Sequence, residues 1–238
     1  MAGDIDVWLI DLASMPSLDD CDLTTLSATE RAHFHTFLHP EPARRFALCR
    51  LVLRHLLAAP STAPGAALEI ASGAAGKPYC VTPGLPHFNL SHASQVAAIA
   101  ISHTLEVGVD IEPAASFVET ARMQARICSA AERQWLAAHP ARADADFGRL
   151  WTRKEALLKA CGAGLTVSPS ELDLSGQIDA EEGVVARPCA HQRGLETLRW
   201  QALPPWKLHV GAVAARVEPG SGPLRVRVRE FESSRLRD

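Results

Sequence analysis

Apolar and polar positions along the 238-residue chain change their period several times, and each change marks an element. Ile5 to Leu12 is a short, mostly apolar run built on Val7, Trp8, Leu9 and Ile10, and is predicted as a strand. Ser27-x-x-Glu30 fits a capping box, in which each side chain satisfies an orphan amide at a helix start, so a helix is expected over Ala28–Leu38. A longer helix is predicted from Pro42 to Ala58, because Phe46, Cys49, Val52, Leu53, Leu56 and Leu57 recur at helical spacing. Ala59 to Gly76 is rich in Ala, Gly, Pro and Ser and is read as a loop. The pattern then turns strand-like over His87–Leu90, Val96–Ser102 and Val107–Ile111, with His103–Glu106 expected to be a hairpin turn between the last two. Ser129-x-x-Glu132 is a second capping box, opening a helix that stops near Pro140. A further helix from Ala145 to Cys161 should end at Gly162. The last third returns to strands at Leu198–Leu203, Lys207–Val217 and Leu224–Phe231. Strands and helices arranged in this way point to an α+β fold rather than a regular βαβ alternation.

Composition changes this picture little. Hydrophobic residues make up 47% and charged residues 21%, ordinary values for a globular enzyme, and the net charge of −3 provides no global field for nucleic acid. Met1 to Leu12 carries Asp4, Asp6 and Asp11 and no basic residue, unlike a secretory signal, and no run reaches bilayer length. The six scattered cysteines form no CxxC pair, so reduced thiols and a cytoplasmic location are expected, with no membrane and no nucleic-acid partner.

Four segments carry candidate chemistry. In Gly108-Val109-Asp110-Ile111-Glu112 a strand would put Asp110 and Glu112 on one face, where two carboxylates repel unless a hard cation lies between them; two solvated acids at a strand end are the plainer alternative. In Trp151-Thr152-Arg153-Lys154-Glu155-Ala156-Leu157-Leu158-Lys159 a helix stacks Glu155 on Lys159, which by itself is a surface ion pair. Lys154 falls within the apolar stripe of that helix, so it must snorkel out or meet an anion. Gly76-Lys77-Pro78 offers a cation on a rigid loop, and Phe88-Asn89-Leu90-Ser91-His92 offers a hydroxyl and an imidazole for phosphate oxygens. Arg44, Arg45, Arg50 and Arg54 form a basic cluster on the second helix, the usual role of which is to solvate a helix face. His35 and His39 lack the Glu of a HExxH site, and no GxSxG, GxxxxGK[ST] or GxGxxG motif is present.

In this order, from Ser27 to about Leu172, Gly-Lys-Pro, Phe-Asn-Leu-Ser-His, Gly-Val-Asp-Ile-Glu and Trp-x-x-Lys-Glu-Ala-x-x-Lys resemble the 4′-phosphopantetheinyl transferase superfamily, of the surfactin-synthetase-activating type. The resemblance implies a monomer of two similar α+β halves forming a pseudo-dimer, here 1–105 and 106–238, with coenzyme A between them. It implies that Asp110, Glu112 and Glu155 hold Mg2+ (Mn2+ being the alternative) against the pyrophosphate. Glu155 would also be the base for the incoming serine hydroxyl, with its pKa lowered by metal and lysine, and Lys159 would contact the pyrophosphate. Arg45, Lys77, Ser91 and His92 would bind the phosphates on the adenosine side. The first helix departs from the family, offering Arg31 and histidines where basic residues usually help grip coenzyme A.

The implied reaction moves 4′-phosphopantetheine from coenzyme A to a serine of an apo acyl or peptidyl carrier protein and releases 3′,5′-ADP. Two rivals share these residues. A non-catalytic coenzyme A-binding or carrier-docking homologue would be expected to lose its carboxylates first, and a metal-dependent phosphohydrolase would release 3′,5′-ADP with no carrier present. The type of carrier, whether from fatty-acid, polyketide or nonribosomal-peptide synthesis, is not encoded in these motifs.

Overall fold

The computed structural model describes residues 4–58, 68–73, 76–81, 84–114, 120–162, 167–185 and 198–236. Its strands are β1 (Asp4–Asp11), β2 (Ile70–Ser72), β3 (Pro78–Cys80), β4 (His87–Ala93), β5 (Val96–Ser102), β6 (Val107–Pro113), β7 (Glu182–Val184), β8 (Leu198–Trp206), β9 (His209–Arg216) and β10 (Arg225–Glu230). Its helices are α1 (Ala28–Phe34), α2 (Pro40–Ala58), α3 (Thr120–Ile127), α4 (Ala130–Ala138) and α5 (Ala143–Cys161). One four-stranded sheet has the order β10-β1-β5-β4 and a second has β6-β9-β8-β7, while β2 and β3 pair by themselves.

Period-two alternation builds four layers. Ile10 and Leu12 beside β1, with Ala97, Ile99 and Ile101 on β5, pack against Leu48, Val52 and Leu53 of α2. The alternate set, Ile5, Val7 and Leu9 with Val96, Ala98 and Ala100, faces Val107, Val109 and Ile111 of β6 and Val213 and Ala215 of β9. The other face of the second sheet, with Trp200, Ala212 and Ala214, covers Phe147, Leu150 and Leu157 of α5. The order is therefore α2, first sheet, second sheet, α5. This is an α+β fold with a long helix on each outer face.

Both capping boxes form as expected, with Ser27 and Glu30 opening α1 and Ser129 and Glu132 opening α4. Gly162 ends α5 in the left-handed region at φ 68°. Three expectations are corrected. The first helix stops at Phe34, because Thr36 bonds back to the His33 carbonyl through both its amide and its hydroxyl. Within the expected loop, Ile70–Ser72 pairs with Pro78–Cys80. His103–Glu106 closes no hairpin, since β5 already has β1 on one edge and β4 on the other. With no free edge to join, β6 crosses into the second sheet and pairs with β9. β10 returns to the first sheet, parallel to β1, with Asp4 opposite Arg225.

One glycine sets how closely α5 approaches the second sheet. A Cβ on Gly108 would lie 2.1 Å from the Ala156 carbonyl oxygen and 2.4 Å from the Ala160 amide nitrogen. Only a residue without a side chain lets this helix sit directly on β6. Gly108, Asp110 and Glu112 share that face, so the same approach brings Glu155 and Lys159 over the acids. Gly108→Ala is expected to cost about 2–3 kcal/mol in urea unfolding, the scale of overpacking against rigid backbone. An unchanged unfolding midpoint would show that the helix has room to move.

Candidate active site

β4 and β6 are the edge strands of their sheets and face each other without a backbone ladder. Side chains satisfy the free edge of β6 instead. Asn89 Oδ1 accepts the Val109 amide at 2.9 Å, and Lys159 Nζ donates to the Val109 carbonyl at 3.2 Å. Lys77 Nζ donates to the Val107 carbonyl at 2.9 Å. One residue along, the Ser91 hydroxyl donates to Asp110 Oδ1 at 2.8 Å, and Lys159 Nζ meets the same oxygen at 2.6 Å.

The structure therefore brings Ser91, Asp110 and Lys159 into direct contact. Glu112 and Glu155 stand close enough that their charges act on one another and on Asp110. Burial pushes the Asp110 carboxyl above its ordinary value, against the pull of Lys159 and Ser91. Burial also raises Glu112, and the Asp110 charge adds to it, while Trp151 Nε1, donating to Glu112 Oε1 at 3.3 Å, works the other way. Glu155 is raised by burial and then by Asp110, more than Lys159 lowers it. The lysine by itself does not lower the Glu155 pKa, because desolvation and a like charge outweigh the attraction of Lys159.

The donor set suits a hard divalent cation. Its ligands are carboxylate oxygens that repel one another, and Asp110 Oδ2 is buried with no hydrogen-bond partner. Among the described residues no three His, Cys, Asp or Glu side chains are drawn together as a finished metal site, and Lys159 covers one face of Asp110. The charge and the oxygens are in place, and the closed geometry is not.

On the other flank the charge is positive. His92 is held below its ordinary pKa by burial, by Arg45 and, to a smaller extent, by Lys159. Arg45 is the member of the basic cluster that faces this side. The cluster does not merely solvate its helix, because the other three are spent on the fold. Arg44 bonds the Leu12 and Met15 carbonyls, Arg50 lies 3.8 Å from Glu30, and fully buried Arg54 meets Glu30 at 2.7 Å. Lys77 stands apart, engaged with Glu106 at 3.3 Å at the start of β6, three strand residues before Asp110. Arg31 is turned to the Thr24 and Leu26 carbonyls.

Glu155 also lines a cleft of about 720 Å³ with Met123, Arg126 and Ile127 of α3, Trp151 of α5, and Val167, Ser168, Pro169 and Glu171. Sequence reasoning missed Asn89 and Trp151 as site residues. Asn89 had left a signal, since asparagine is a poor strand former and sits in the middle of one.

Glu155 has a pKa above its unfolded value, so the stability it contributes is present below the ordinary carboxylate range and is lost as pH rises through the folded pKa. At about pH 7 without divalent cations, Glu155→Gln should therefore equal or exceed wild type by up to about 1 kcal/mol, kept small by solvent access. The difference should disappear near pH 4. Denaturant melts in EDTA at both pH values check it, and a variant clearly less stable than wild type at neutral pH would mean that ionised Glu155 is favourably held.

Comparison with known proteins agrees with this geometry. A family model described as the 4′-phosphopantetheinyl transferase superfamily matches residues 106–203, which include Asp110, Glu112, Glu155 and Lys159. The 4′-phosphopantetheinyl transferase HetI of Nostoc sp. is 30% identical over 170 residues, covering 69% of this chain and 71% of that protein. A 4′-phosphopantetheinyl transferase of Bacillus subtilis is 30% identical over 152 residues, covering 63% and 66%. A putative one of Synechocystis sp. is 32% identical over 144 residues, covering 59% and 58%. With its carboxylates and Lys159 meeting at one seam, and with a relative matched over more than two thirds of its length, the chain belongs to the 4′-phosphopantetheinyl transferase superfamily.

Proposed function

We propose that the chain transfers 4′-phosphopantetheine from coenzyme A to a serine hydroxyl of an apo carrier protein, releasing 3′,5′-ADP. The observation that carries this reading is the division of charge across one seam. Repelling carboxylates Asp110, Glu112 and Glu155 lie on one side, and Arg45, with the neutral imidazole of His92 beside it, lies on the other, with Lys159 between them. A pyrophosphate laid along the seam would meet cations along its length. Asp110, Glu112 and Glu155 would hold Mg2+ or Mn2+, which when bound would neutralise the charge that builds on phosphate oxygens. Lys159, which bonds Asp110 here, would contact the pyrophosphate. Ser91, His92 and Arg45 would hold the adenosine-side phosphates, and Lys77 would join them by exchanging Glu106 for a phosphate.

In the transfer step the carrier serine oxygen bonds to the phosphorus that bears the pantetheine arm. The bond from that phosphorus to the bridging oxygen breaks, and 3′,5′-ADP leaves with the electron pair. Glu155 would take the serine proton as the general base. Lys159 would offset the charge that accumulates on the leaving phosphate. The halves 1–105 and 106–238 would act as one unit, because the seam lies where they meet. A monomer working in the cytoplasm is the expected setting, in keeping with six scattered cysteines that form no CxxC pair. Among the described residues no helix is long and apolar enough to cross a membrane.

The test is intact-mass spectrometry of apo-carriers from fatty-acid, polyketide and nonribosomal-peptide systems, incubated with coenzyme A, Mg2+ and the protein. At least one carrier should gain the mass of one phosphopantetheine. Asp110→Ala and Glu112→Ala should abolish the gain, and Glu155→Gln should slow it about 10²-fold while coenzyme A still binds. No gain on any carrier with the wild-type protein would overturn the assignment.

A further inference from the structure

Next to Glu155 in sequence, Lys154 is fully buried and has its ammonium bonded on three sides. Its Nζ donates to Glu132 Oε2 at 2.5 Å, to the Ile127 carbonyl at 2.8 Å and to the Pro169 carbonyl at 3.0 Å. Ile127 ends α3 and Pro169 opens the turn Pro169–Glu171, and these two segments form walls of the cleft beside Glu155. Glu132 is also fully buried, and its remaining capacity is used on backbone. Oε2 accepts the Ser129 amide at 2.7 Å, and Oε1 accepts the Leu174 amide at 2.7 Å. All three ammonium protons have acceptors, so this one side chain ties both walls and the start of α4 to the helix that carries Glu155.

We propose that Lys154 and Glu132 are positioning residues for the acceptor: they hold the two walls of the cleft at the separation that admits the serine-bearing segment of the carrier to Glu155. The inference rests on the transfer reading above and adds to it where the second substrate enters. The coenzyme A groups proposed for the seam lie on the β4–β6 side of α5, and the cleft lies on the α3 side, with Glu155 common to both. Stability alone is a poor reason for the pair, because a buried ion pair is commonly replaceable by apolar side chains at little cost. What an apolar side chain does not do is hold two carbonyls from two separate segments that line the cleft.

The first half of the chain repeats the pairing. Glu30 of the first capping box meets fully buried Arg54 on the next long helix, and Arg54 Nη1 bonds the Leu68 carbonyl at 2.9 Å. A capping-box glutamate with a buried cation is thus part of the framework of each half. In the second half it reaches two segments that line a cleft containing a proposed reacting group.

The experiment measures steady-state KM for an apo-carrier and for coenzyme A, separately, with wild type, Lys154→Met and the double variant Glu132→Gln with Lys154→Met. The double variant is read if Lys154→Met fails to fold with Glu132 left buried and uncompensated. The expected result is a carrier KM raised at least about tenfold with the coenzyme A KM within about twofold of wild type. Loss of folded protein alone would lower kcat and leave both KM values where they were. Unchanged KM values for both substrates, or an equal rise in both, would overturn the inference while leaving the transfer reading intact. Absence of any transfer by wild type would overturn that reading, and this inference with it.

Discussion

The site depends on how a strand with a free edge is satisfied. β6 pairs with β9 on one side, and its other side faces β4, which gives it no backbone ladder. A buried amide or carbonyl left unpaired there would cost about 1–3 kcal/mol. Lys77, Asn89 and Lys159 supply the missing partners, each from a different part of the chain. The four short motifs are therefore not four independent sites. Three of them send a side chain to the edge of the fourth, and the site is what they enclose.

This arrangement explains why the carboxylates can be crowded. Gly108 lets α5 settle on β6, Asp110 and Glu112 come up on the same face, and Glu155 and Lys159 come down from the helix. Burial, joined at Glu112 and Glu155 by the neighbouring Asp110 charge, pushes all three carboxyls up, so the fold holds them at the expense of their ionisation. A divalent cation would reverse that expense, which is the physical link between the apo geometry and the proposed chemistry. Lys159 lies between the two uses, bonded to Asp110 and positioned to release it.

Local signals carried much of this into the sequence. The capping boxes at Ser27 and Ser129 and the stop at Gly162 depend on residues a few positions apart, so they could be read directly. The shared face of Asp110 and Glu112 follows from strand period alone, and the position of Lys154 in an apolar stripe left it either to snorkel out or to meet an anion, which is Glu132. What could not be read is settled by distant pairing. The turn at His103–Glu106 resembles a hairpin until β1 and β4 are seen to fill both edges of β5. The partner of Lys154 is 22 residues away on another helix, and the direction of the Glu155 pKa depends on how deeply the folded chain buries it.

The central claim, that side chains from the other motifs hold the edge of β6 and so place the carboxylates, is tested most directly at Val109. Hydrogen exchange of the Val109 amide should be slow in wild type, because Asn89 Oδ1 is its acceptor within the buried seam. In Asn89→Ala the same amide should exchange at least about 10²-fold faster, with the amides of β8 remaining protected, and transfer should fall with it. Val109 protection that survives the substitution would contradict the account, since the edge of β6 would then be held by something other than the motif side chains.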